Sequence, residues 1–459
     1  MRLSDLWHWD GTLDRRSYAI WGCLLFAIKY NIDRAVAAAY GHPWSPFSYL
    51  MESSKGPILA VTPAQLPFYG TLVAVALPFI FVGIAMTLRR LRDAGLPQGL
   101  VAVFFLPLIN LLFFVVLAIA PPRLPDGTDR KGLLDAIVPR SAVGAAALAL
   151  ATTTLAGVGL TLLAVYGLGE YGWGLFVGVP FTLGLISVLL YGYHQPRAYI
   201  ECLTVSVLSV SFLGLGLLAC AVEGVVCLIM AAPIGGALAA LGGTVGYLIQ
   251  AKPGNGRAAA QTLVALLVCL PGLMGAEAVN GGQAPLIAVQ TTIEVDAPPA
   301  KVWENVVTFS ELPASDDWVF NQAGIACPLR ATIQGRGVGA IRHCVFTTGP
   351  FVEPITTWDP PNRLAFAVTA QPPAMKELSP WGAIAAPHID HFLVSERGQF
   401  LLTALPGGRT RLEGTTWYRH RIWPVAYWEV WSDAILHRIH TRVLKHVKAL
   451  SEGRRPSGE

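Results

Sequence analysis

The chain has 459 residues, of which 53% are apolar and 14% are charged, and its formal net charge is +4. Soluble domains usually hold about 25% charged residues, so this composition excludes a purely soluble fold. The Lys and Arg residues lie in short clusters and not in a basic stripe with interleaved aromatic residues, which argues against nucleic acid as a partner.

Seven or eight stretches are long and apolar enough to cross a bilayer, which takes about 20 residues of helix. We predict them near 18–40, 64–88, 98–120, 141–166, 171–192, 201–222, 224–250 and 258–278. The sequence therefore predicts a multi-pass α-helical bundle with the lipid bilayer as its partner.

The first stretch is the weakest candidate, because Lys29, Asp33 and Arg34 interrupt it. Lys29 and Asp33 are four residues apart, so they either mark an ion pathway or neutralise each other on one helix face. Small residues such as Gly242 and Gly246 predict close packing between helices.

The distribution of Lys and Arg predicts the orientation of the bundle. The loops 89–97, 121–140, 193–200 and 251–257 all carry Lys or Arg and all favour the cytoplasm. A single crossing at 98–120 would put the first two on opposite sides. Either that segment is re-entrant, bent near Pro107 and Asn110, or one cluster is on the unfavoured side. If 258–278 crosses, the C-terminal domain is outside the cytoplasm.

Two motifs stand out in the first 125 residues: WDGTLDRRSYAIWG, and LRRLRDAG followed by an apolar run. In these motifs residues 1–125 resemble the bacterial inner-membrane family called domain of unknown function 805, although Arg92 stands where many members carry His. The resemblance implies a bacterial inner membrane and no particular activity. Arg89, Arg90, Arg92 and Asp93 would suit anionic lipid headgroups, or would be a topology signal with an internal ion pair. Residues 126–280 then supply additional membrane helices.

The pattern changes after Gly281. IEVDAPPAKVWENV predicts a strand followed by an amphipathic helix, and short alternating runs divided by turn residues predict antiparallel strands. A long helix from about Pro424 to Leu450 closes the chain and places apolar residues on one face.

This order of elements resembles the START-like or helix-grip superfamily, also called polyketide cyclase and dehydrase-like. The predicted fold is therefore a membrane bundle followed by a soluble α+β helix-grip domain at 285–453, with a tail at 454–459. The resemblance implies an apolar cavity for a lipid, sterol, polyketide or similar ligand. Our candidates for its lining are Trp428, Trp431, Ile435, Ile439, Trp417 and Phe366. The long apolar loop around Met375, Trp381 and Ile384 is a candidate lid.

Polar residues of this region are less specific. His388 and His391 lack a defined third ligand, so no metal site is predicted, and no motif for a cofactor is present. Glu353, on an alternating strand, is either a buried base or the ion-pair partner of an arginine such as Arg342. Cys327 and Cys344 flank a predicted hairpin turn and could form a disulfide outside the cytoplasm.

Three functions remain open on the sequence. The leading one is a membrane-tethered domain that binds, senses or transfers a hydrophobic ligand. The second is an enzyme that acts on such a ligand, which would require a polar group with a shifted pKa in the cavity. The third is a transporter or envelope scaffold, which would be marked by paired charges inside the bundle.

Overall fold

A computed structural model describes residues 6–44, 48–51, 65–105, 109–120, 122, 133–250, 256–279, 284–382, 384 and 386–454. The chain divides into two compact units. The first unit holds Met1–Leu217 and Ala231–Gly282, and the second holds Leu218–Met230 and Gln283–Glu459. Apart from Arg454, the predicted tail lies outside the described residues.

The first unit is helical. Its helices are α1 (Arg15–Ala39), α2 (Ser48–Met51), α3 (Leu66–Asp93), α4 (Ile109–Ile119), α5 (Leu133–Ile137), α6 (Ala142–Leu162), α7 (Val179–Tyr191), α8 (Tyr199–Ala219), α9 (Val225–Gln250) and α10 (Gly256–Val279). The end of α8 and the start of α9 belong to the second unit. A 3₁₀ helix (Gln98–Phe105) precedes α4, and π-helical turns extend α6 to Leu168 and begin α7 at Gly174.

Five helices among the described residues are long and apolar enough to cross a membrane: α3, α6, α7, α8 and α9, with the π-helical turns included. The multi-pass bundle is therefore confirmed. Helix α1 is also long, with 25 residues, but it carries the charged residues noted above.

Helix α7 is the centre of the bundle, since every residue from Val179 to Tyr191 is buried. Glycines let its neighbour α9 approach its backbone. A Cβ added to Gly242 would lie 2.1 Å from the Phe181 carbonyl oxygen, and one added to Gly184 would lie 2.1 Å from the Ala239 carbonyl oxygen. Small residues thus permit backbone-to-backbone packing, as predicted for this part of the chain.

The segment after α3 leaves and returns to the same end of that helix. Arg90, in the last turn of α3, donates through Nε to the Leu117 carbonyl at 2.8 Å and through Nη2 to the Ala120 carbonyl, at the end of α4. Phe104 packs against Gly83, which lies about 15 Å from the end of α3 at 1.5 Å per residue. The hairpin thus reaches about half of a roughly 30 Å hydrocarbon layer.

Residues 98–105 and 109–119 form two short helices, which is the geometry expected of the re-entrant alternative. Helix α4 has 11 residues and is too short to cross alone. Asn110, at the start of α4, donates to the carbonyl of Phe104 in the preceding 3₁₀ helix at 3.3 Å. Pro107, the other residue predicted at the bend, lies outside the described residues.

The second unit contains a seven-stranded antiparallel sheet. Its strands are β1 (Leu286–Val295), β2 (Pro328–Gln334), β3 (Ile341–Phe346), β4 (Gly349–Asp359), β5 (Arg363–Ala367), β6 (Leu393–Leu405) and β7 (Arg409–His420), in the order β1-β7-β6-β5-β4-β3-β2. Its helices are α11 (Pro299–Val307), α12 (Trp318–Asn321), α13 (His388–His391) and the closing α14 (Val425–Ser451). This is the predicted helix-grip fold.

One apolar core joins one face of the sheet to α11 and α14. Val295, Leu364 and Leu412 from the strands pack in it with Val306 and Val447 from the helices, and each of them is fully or almost fully buried. Alternation along the strands explains this arrangement, because successive side chains point to opposite faces.

Cys327 and Cys344 are both free thiols in buried positions. The hairpin register pairs Cys344 with Ala331, four residues beyond Cys327. The expectation that the turn brings these two cysteines together is therefore wrong, since the strands pair with an offset that the symmetric spacing does not reveal.

We predict that Arg90→Met destabilises the protein by about 3–5 kcal/mol, because it leaves the partner carboxylate of Asp93 and two carbonyls without their buried donor. The measurement is the thermal unfolding of the purified full-length chain in detergent. Arg92→Gln, at a half-buried guanidinium whose hydrogen bonds to the Trp9 and Gly11 carbonyls are exposed, should change the unfolding temperature little. Equal losses in the two variants would contradict the role given to Arg90.

Candidate ligand-binding site

The candidate site lies between the sheet and α14, on the face where the strands turn their buried side chains toward the helix. Polar residues are set into this otherwise apolar face. They are Thr291, Arg342, Glu353, Thr416, Tyr418 and His420 from the strands, and Ser432, His440 and His446 from α14. Buried polar groups are costly unless they are hydrogen-bonded, so their partners define what the site can do.

Arg342 and Glu353 form a buried ion pair across β3 and β4, where the register places them opposite each other. The exposed fractions of their side chains are 2% and 7%. Arg342 also donates through Nε to the Val307 carbonyl at 3.3 Å. The ion-pair alternative for Glu353 is thereby confirmed. Burial raises the pKa of the Glu353 carboxyl, and the Arg342 guanidinium opposes that rise.

Three aromatic rings surround the Arg342 guanidinium. The ring centres of Phe309, Phe366 and Phe400 lie 5.6, 5.5 and 5.6 Å from its Cζ. Cations favour such positions over aromatic faces, and the attraction increases where water is excluded. Phe366 was a predicted lining residue, whereas Phe309 and Phe400 were not identified, because they belong to elements whose facing could not be fixed from periodicity.

One nitrogen of this guanidinium, Nη2, is buried and has no hydrogen-bond partner among the described residues. A buried donor without an acceptor costs about 1–3 kcal/mol. The site thus contains a donor directed into an aromatic environment that an acceptor oxygen of a ligand would satisfy.

His440 attaches α14 to the sheet at two points. Its Nδ1 lies 3.2 Å from Thr291 Oγ1, and its Nε2 lies 2.8 Å from Thr416 Oγ1. Burial lowers the pKa of His440 to about 4, with the neighbouring His437 as a second cause. The imidazole is therefore neutral at pH 7 and bridges two threonine hydroxyls.

A second contact of the helix with β7 involves Tyr418, whose hydroxyl lies 2.7 Å from Ser432 Oγ and donates to Asp433 Oδ1 at 3.0 Å. Burial raises the pKa of Tyr418, so the phenol stays protonated and acts as a donor. Burial also lowers the pKa of His420, at the end of the same strand, to about 4.

The predicted lining residues occupy different places. Phe366 and Ile439 pack in the main core, Trp428 is buried near the start of α14, and Trp431 is half-buried. Ile435 packs on a second, smaller cluster formed by Val319, Ala323, Ile325 and Met375. Trp417 lies on the opposite sheet face from Tyr418, with Arg397 over its ring at 4.8 Å.

The predicted lid loop has a buried and an exposed part. Met375 is buried in the smaller cluster, Trp381 is 66% exposed, and Ile384 is half-buried. The Trp381 indole donates through Nε1 to the Leu218 carbonyl at 3.1 Å, and Val225 donates to the Leu378 carbonyl at 2.8 Å. The loop is thus hydrogen-bonded to the Leu218–Met230 segment of the same unit.

The predicted headgroup cluster in the first unit is engaged in internal contacts. Arg90 is buried and paired with Asp93. Arg89 donates to the Thr12 carbonyl at 3.4 Å, and Arg92 donates to the carbonyls of Trp9 and Gly11. These contacts provide the internal ion pair of the second interpretation and attach the N-terminal segment to the end of α3.

In the sequence, His388 and its neighbour His391 lack a defined third ligand. The structure brings His388 close to Glu223, Cys227 and Glu377, which come from two other parts of the second unit. Cys227 lies in an apolar stretch and gave no signal of its own. The long separation between these residues explains why their spacing could not reveal the cluster.

The curled sheet, the closing helix and the polar groups between them define a START-like helix-grip domain attached to a multi-pass membrane bundle. Residues 287–452 match the family model described as polyketide cyclase / dehydrase and lipid transport. Residues 6–124 match the model of the protein family of unknown function DUF805. The chain combines a match to each family model, and both resemblances predicted from the sequence are confirmed.

Solved structures are similar to part of the chain at low identity and with low TM-scores. A truncated norcoclaurine synthase from Thalictrum flavum is 10% identical, with 38% of this chain and 99% of that chain covered and a TM-score of 0.26. The Zhui aromatase/cyclase from Streptomyces sp. R1128 is 17% identical, with 38% and 99% covered and a TM-score of 0.24. No curated protein matches the chain.

We predict that the attachment of α14 to the sheet weakens at low pH. A histidine pKa that is lower in the folded state than its ordinary 6.5 contributes stability that is complete above pH 6.5 and is lost as the pH falls toward 4. Peptides of β1 and α14 should therefore exchange amide hydrogens faster at pH 4.5 than at pH 7 after correction for intrinsic rates. His440→Gln should remove much of this pH dependence, whereas His343→Gln on β3 should keep it.

Proposed function

We propose that the C-terminal domain binds a hydrophobic ligand from the bilayer and holds an oxygen atom of that ligand at Arg342. The observation that carries the proposal is the buried Nη2 of Arg342, which has no acceptor among the described residues and lies amid three phenylalanine rings. Aromatic surfaces pack against an apolar body, and the nitrogen donates a hydrogen bond to one polar end. A lipid-like molecule has both.

The charge balance of the site favours a neutral oxygen. Glu353 already compensates the Arg342 charge, and a second buried anion would add a large desolvation cost. A carbonyl or hydroxyl oxygen satisfies the free N–H without adding charge. We therefore infer an ester, ketone or sterol-type ligand rather than a free fatty acid.

The apolar body of the ligand would extend along α14. Phe366 and Ile439 pack in the main core, and Ile435, Trp431 and Trp428 follow along α14 toward its start. These five predicted residues remain our proposal for the lining. We leave out Trp417, since alternation places it on the other face of the sheet.

We further propose a bacterial inner-membrane protein whose C-terminal domain is outside the cytoplasm. With α1, α3, α6, α7, α8, α9 and α10 as crossings and residues 94–120 as a re-entrant hairpin, the four Lys- and Arg-bearing loops fall on one side. The loops on the other side are poor in Lys and Arg. Residues 40–65 contain one such residue, Lys55, and residues 169–173 and 220–224 contain none. The positive-inside rule then favours an external domain.

Contacts inside the first unit support this grouping of loops. A ring nitrogen of His194, after α7, lies 2.7 Å from the Val138 carbonyl, before α6. Gln250, at the end of α9, donates to the Arg197 carbonyl at 3.1 Å. Loops on opposite sides of a bilayer could not meet in this way.

The ligand proposal predicts photolabelling inside the domain. The full-length chain in nanodiscs is irradiated with a diazirine-bearing diacylglycerol and, separately, a diazirine-bearing sterol, and labelled peptides are mapped by mass spectrometry. We expect label on peptides of β3, β5 and α14. The double variant Arg342→Met with Glu353→Gln should reduce it at least fivefold, because the donor is lost while no buried charge is left unpaired.

The matched control removes an exposed Arg–Glu pair of the same domain, Arg330 and Glu311, whose closest charged atoms lie 3.9 Å apart. Arg330→Met with Glu311→Gln should label like the unaltered chain. Absence of label from the domain with both probes, or equal label in the two double variants, would refute binding at Arg342. Amide exchange in β3 and β4 verifies that each variant is folded.

Orientation has its own prediction. Alkaline phosphatase fused after Glu459 should be active, and green fluorescent protein fused at the same position should not fluoresce. The same reporters fused after Gln250 should behave in the opposite way, because that position precedes α10. A fluorescent fusion at the C-terminus would place the domain in the cytoplasm and refute the proposed orientation.

The two other interpretations make different predictions in the same experiments. An enzyme of the polyketide cyclase type would release a probe of altered mass, with Glu353 as the buried group nearest to Arg342. A transporter would depend on charges inside the bundle. There, Lys29 pairs with Asp33, and Glu277 accepts hydrogen bonds from the backbone of Trp173 and Gly174. These contacts explain Lys29 and Asp33 as an internal ion pair and Glu277 as an acceptor for backbone N–H groups.

A further inference from the structure

A group of four potential metal ligands lies in the second unit, away from Arg342. Glu223 comes from the turn before α9, Cys227 from the first turn of α9, Glu377 from the loop after β5, and His388 from α13. One donor atom from each residue lies within 4.8 Å of the others. A thiol, an imidazole and carboxylates are the donor types that zinc binds in proteins.

The distances between donor atoms are close to those of a zinc coordination sphere. Cys227 Sγ lies 3.1 Å from His388 Nε2 and 2.6 Å from Glu377 Oε1, and His388 Nε2 lies 3.6 Å from Glu377 Oε1. Tetrahedral zinc with bonds of about 2.0–2.3 Å separates its ligands by about 3.3–3.6 Å. Shifts of about 1 Å or less would therefore admit the ion.

Glu223 is placed to orient the histidine. Its Oε2 lies 3.5 Å from His388 Nδ1, on the side of the ring opposite Cys227. A carboxylate that accepts the second N–H of a ligating imidazole fixes its tautomer and increases its basicity. The ring is thus held with Nε2 toward the thiol and Glu377.

The backbone is shaped for this approach. A Cβ on Gly224 would lie 1.7 Å from Glu377 Oε2, so only glycine lets the carboxylate come so close to the start of α9. That Oε2 is buried and has no hydrogen-bond partner among the described residues. The Glu377 side chain is fully buried, and that of His388 is 11% exposed.

The accumulation of charge also favours a cation. Two carboxylates and an ionisable thiol meet in a buried place with one imidazole, and buried negative charges are stable only when paired or bound to a metal. From these observations we propose that Cys227, Glu377 and His388 bind one Zn²⁺ ion and that Glu223 orients His388. The ion would fasten the loop containing Glu377 and His388 to the Leu218–Met230 segment. This site does not depend on the ligand proposal.

The test is zinc binding by the full-length chain in detergent. After chelation and removal of the chelator, ZnCl₂ titrated against a competing indicator should bind at about one ion per chain. Cys227→Ser and His388→Gln should each lower the affinity at least 100-fold, and Glu223→Gln should lower it about 10–100-fold as an orienting partner. Gly224→Ala removes no ligand and should also weaken binding, by displacing Glu377.

Matched controls replace the same residue types outside the cluster. Cys220→Ser removes an exposed thiol of the preceding turn, and His343→Gln removes a strand histidine, and both should bind zinc normally. With Co²⁺ in place of zinc, a thiolate-to-cobalt charge-transfer band should appear and be absent in Cys227→Ser. Bound zinc should also slow amide exchange in residues 375–391.

The proposal is overturned if the chain binds less than about one tenth of an equivalent of zinc, or if Cys227→Ser and Cys220→Ser bind it equally well. A variant that elutes as an aggregate is replaced by Cys227→Ala, and exchange in β6 and β7 confirms folding. Because photolabelling at Arg342 is measured separately, failure of zinc binding leaves the ligand proposal untouched.

Discussion

The guanidinium of Arg90 fixes the course of the chain through the membrane. Backbone carbonyls at the end of a helix in an apolar environment need donors that water does not supply there. Arg90 supplies them to Leu117 and Ala120, while Asp93 balances its charge. The short helices before Ala120 are therefore returned toward the end of α3 from which they started. In the proposed topology, the side of the membrane on which each later loop lies, and with it the side of the C-terminal domain, depends on that return.

Buried polar groups also determine the geometry of the C-terminal domain. The apolar core gives α14 its place, but non-directional packing alone does not fix the rotation of a helix on a sheet. Hydrogen bonds from His440 and Tyr418 provide direction at two points, and both groups are neutral in their buried settings. Arg342 is different, because one of its nitrogens has no hydrogen-bond partner among the described residues.

Much of the fold could be predicted from the sequence because it rests on length, periodicity and motif. Apolar stretches of sufficient length identified the spans from residue 141 onward, and alternation with turn residues identified the strands after Gly281. The pairing of Glu353 with Arg342 was also within reach, since both lie on adjacent alternating strands. The sheet face on which Trp417 lies could not be predicted, because a one-residue change in register moves a side chain to the other face.

Other features depend on contacts between distant parts of the chain. The offset between Cys327 and Cys344 is set by the pairing of β2 with β3, and not by their spacing about the turn. The meeting of Cys227 with His388 joins residues 161 apart. No local pattern encodes such a separation, so these residues appeared as an ordinary apolar cysteine and a loop histidine.

The second unit is discontinuous in sequence, and this has a consequence for the order in which it can form. Residues Leu218–Met230 leave the ribosome before any strand of the sheet exists. Val226 and Cys227 pack with Met375 and with Ile435 of α14, and Tyr427 donates to the Met230 carbonyl. These partners are made about 150 to 200 residues later. The turn between α8 and α9 therefore waits for its partners until α14 has been synthesised, so this unit closes only after its last helix exists.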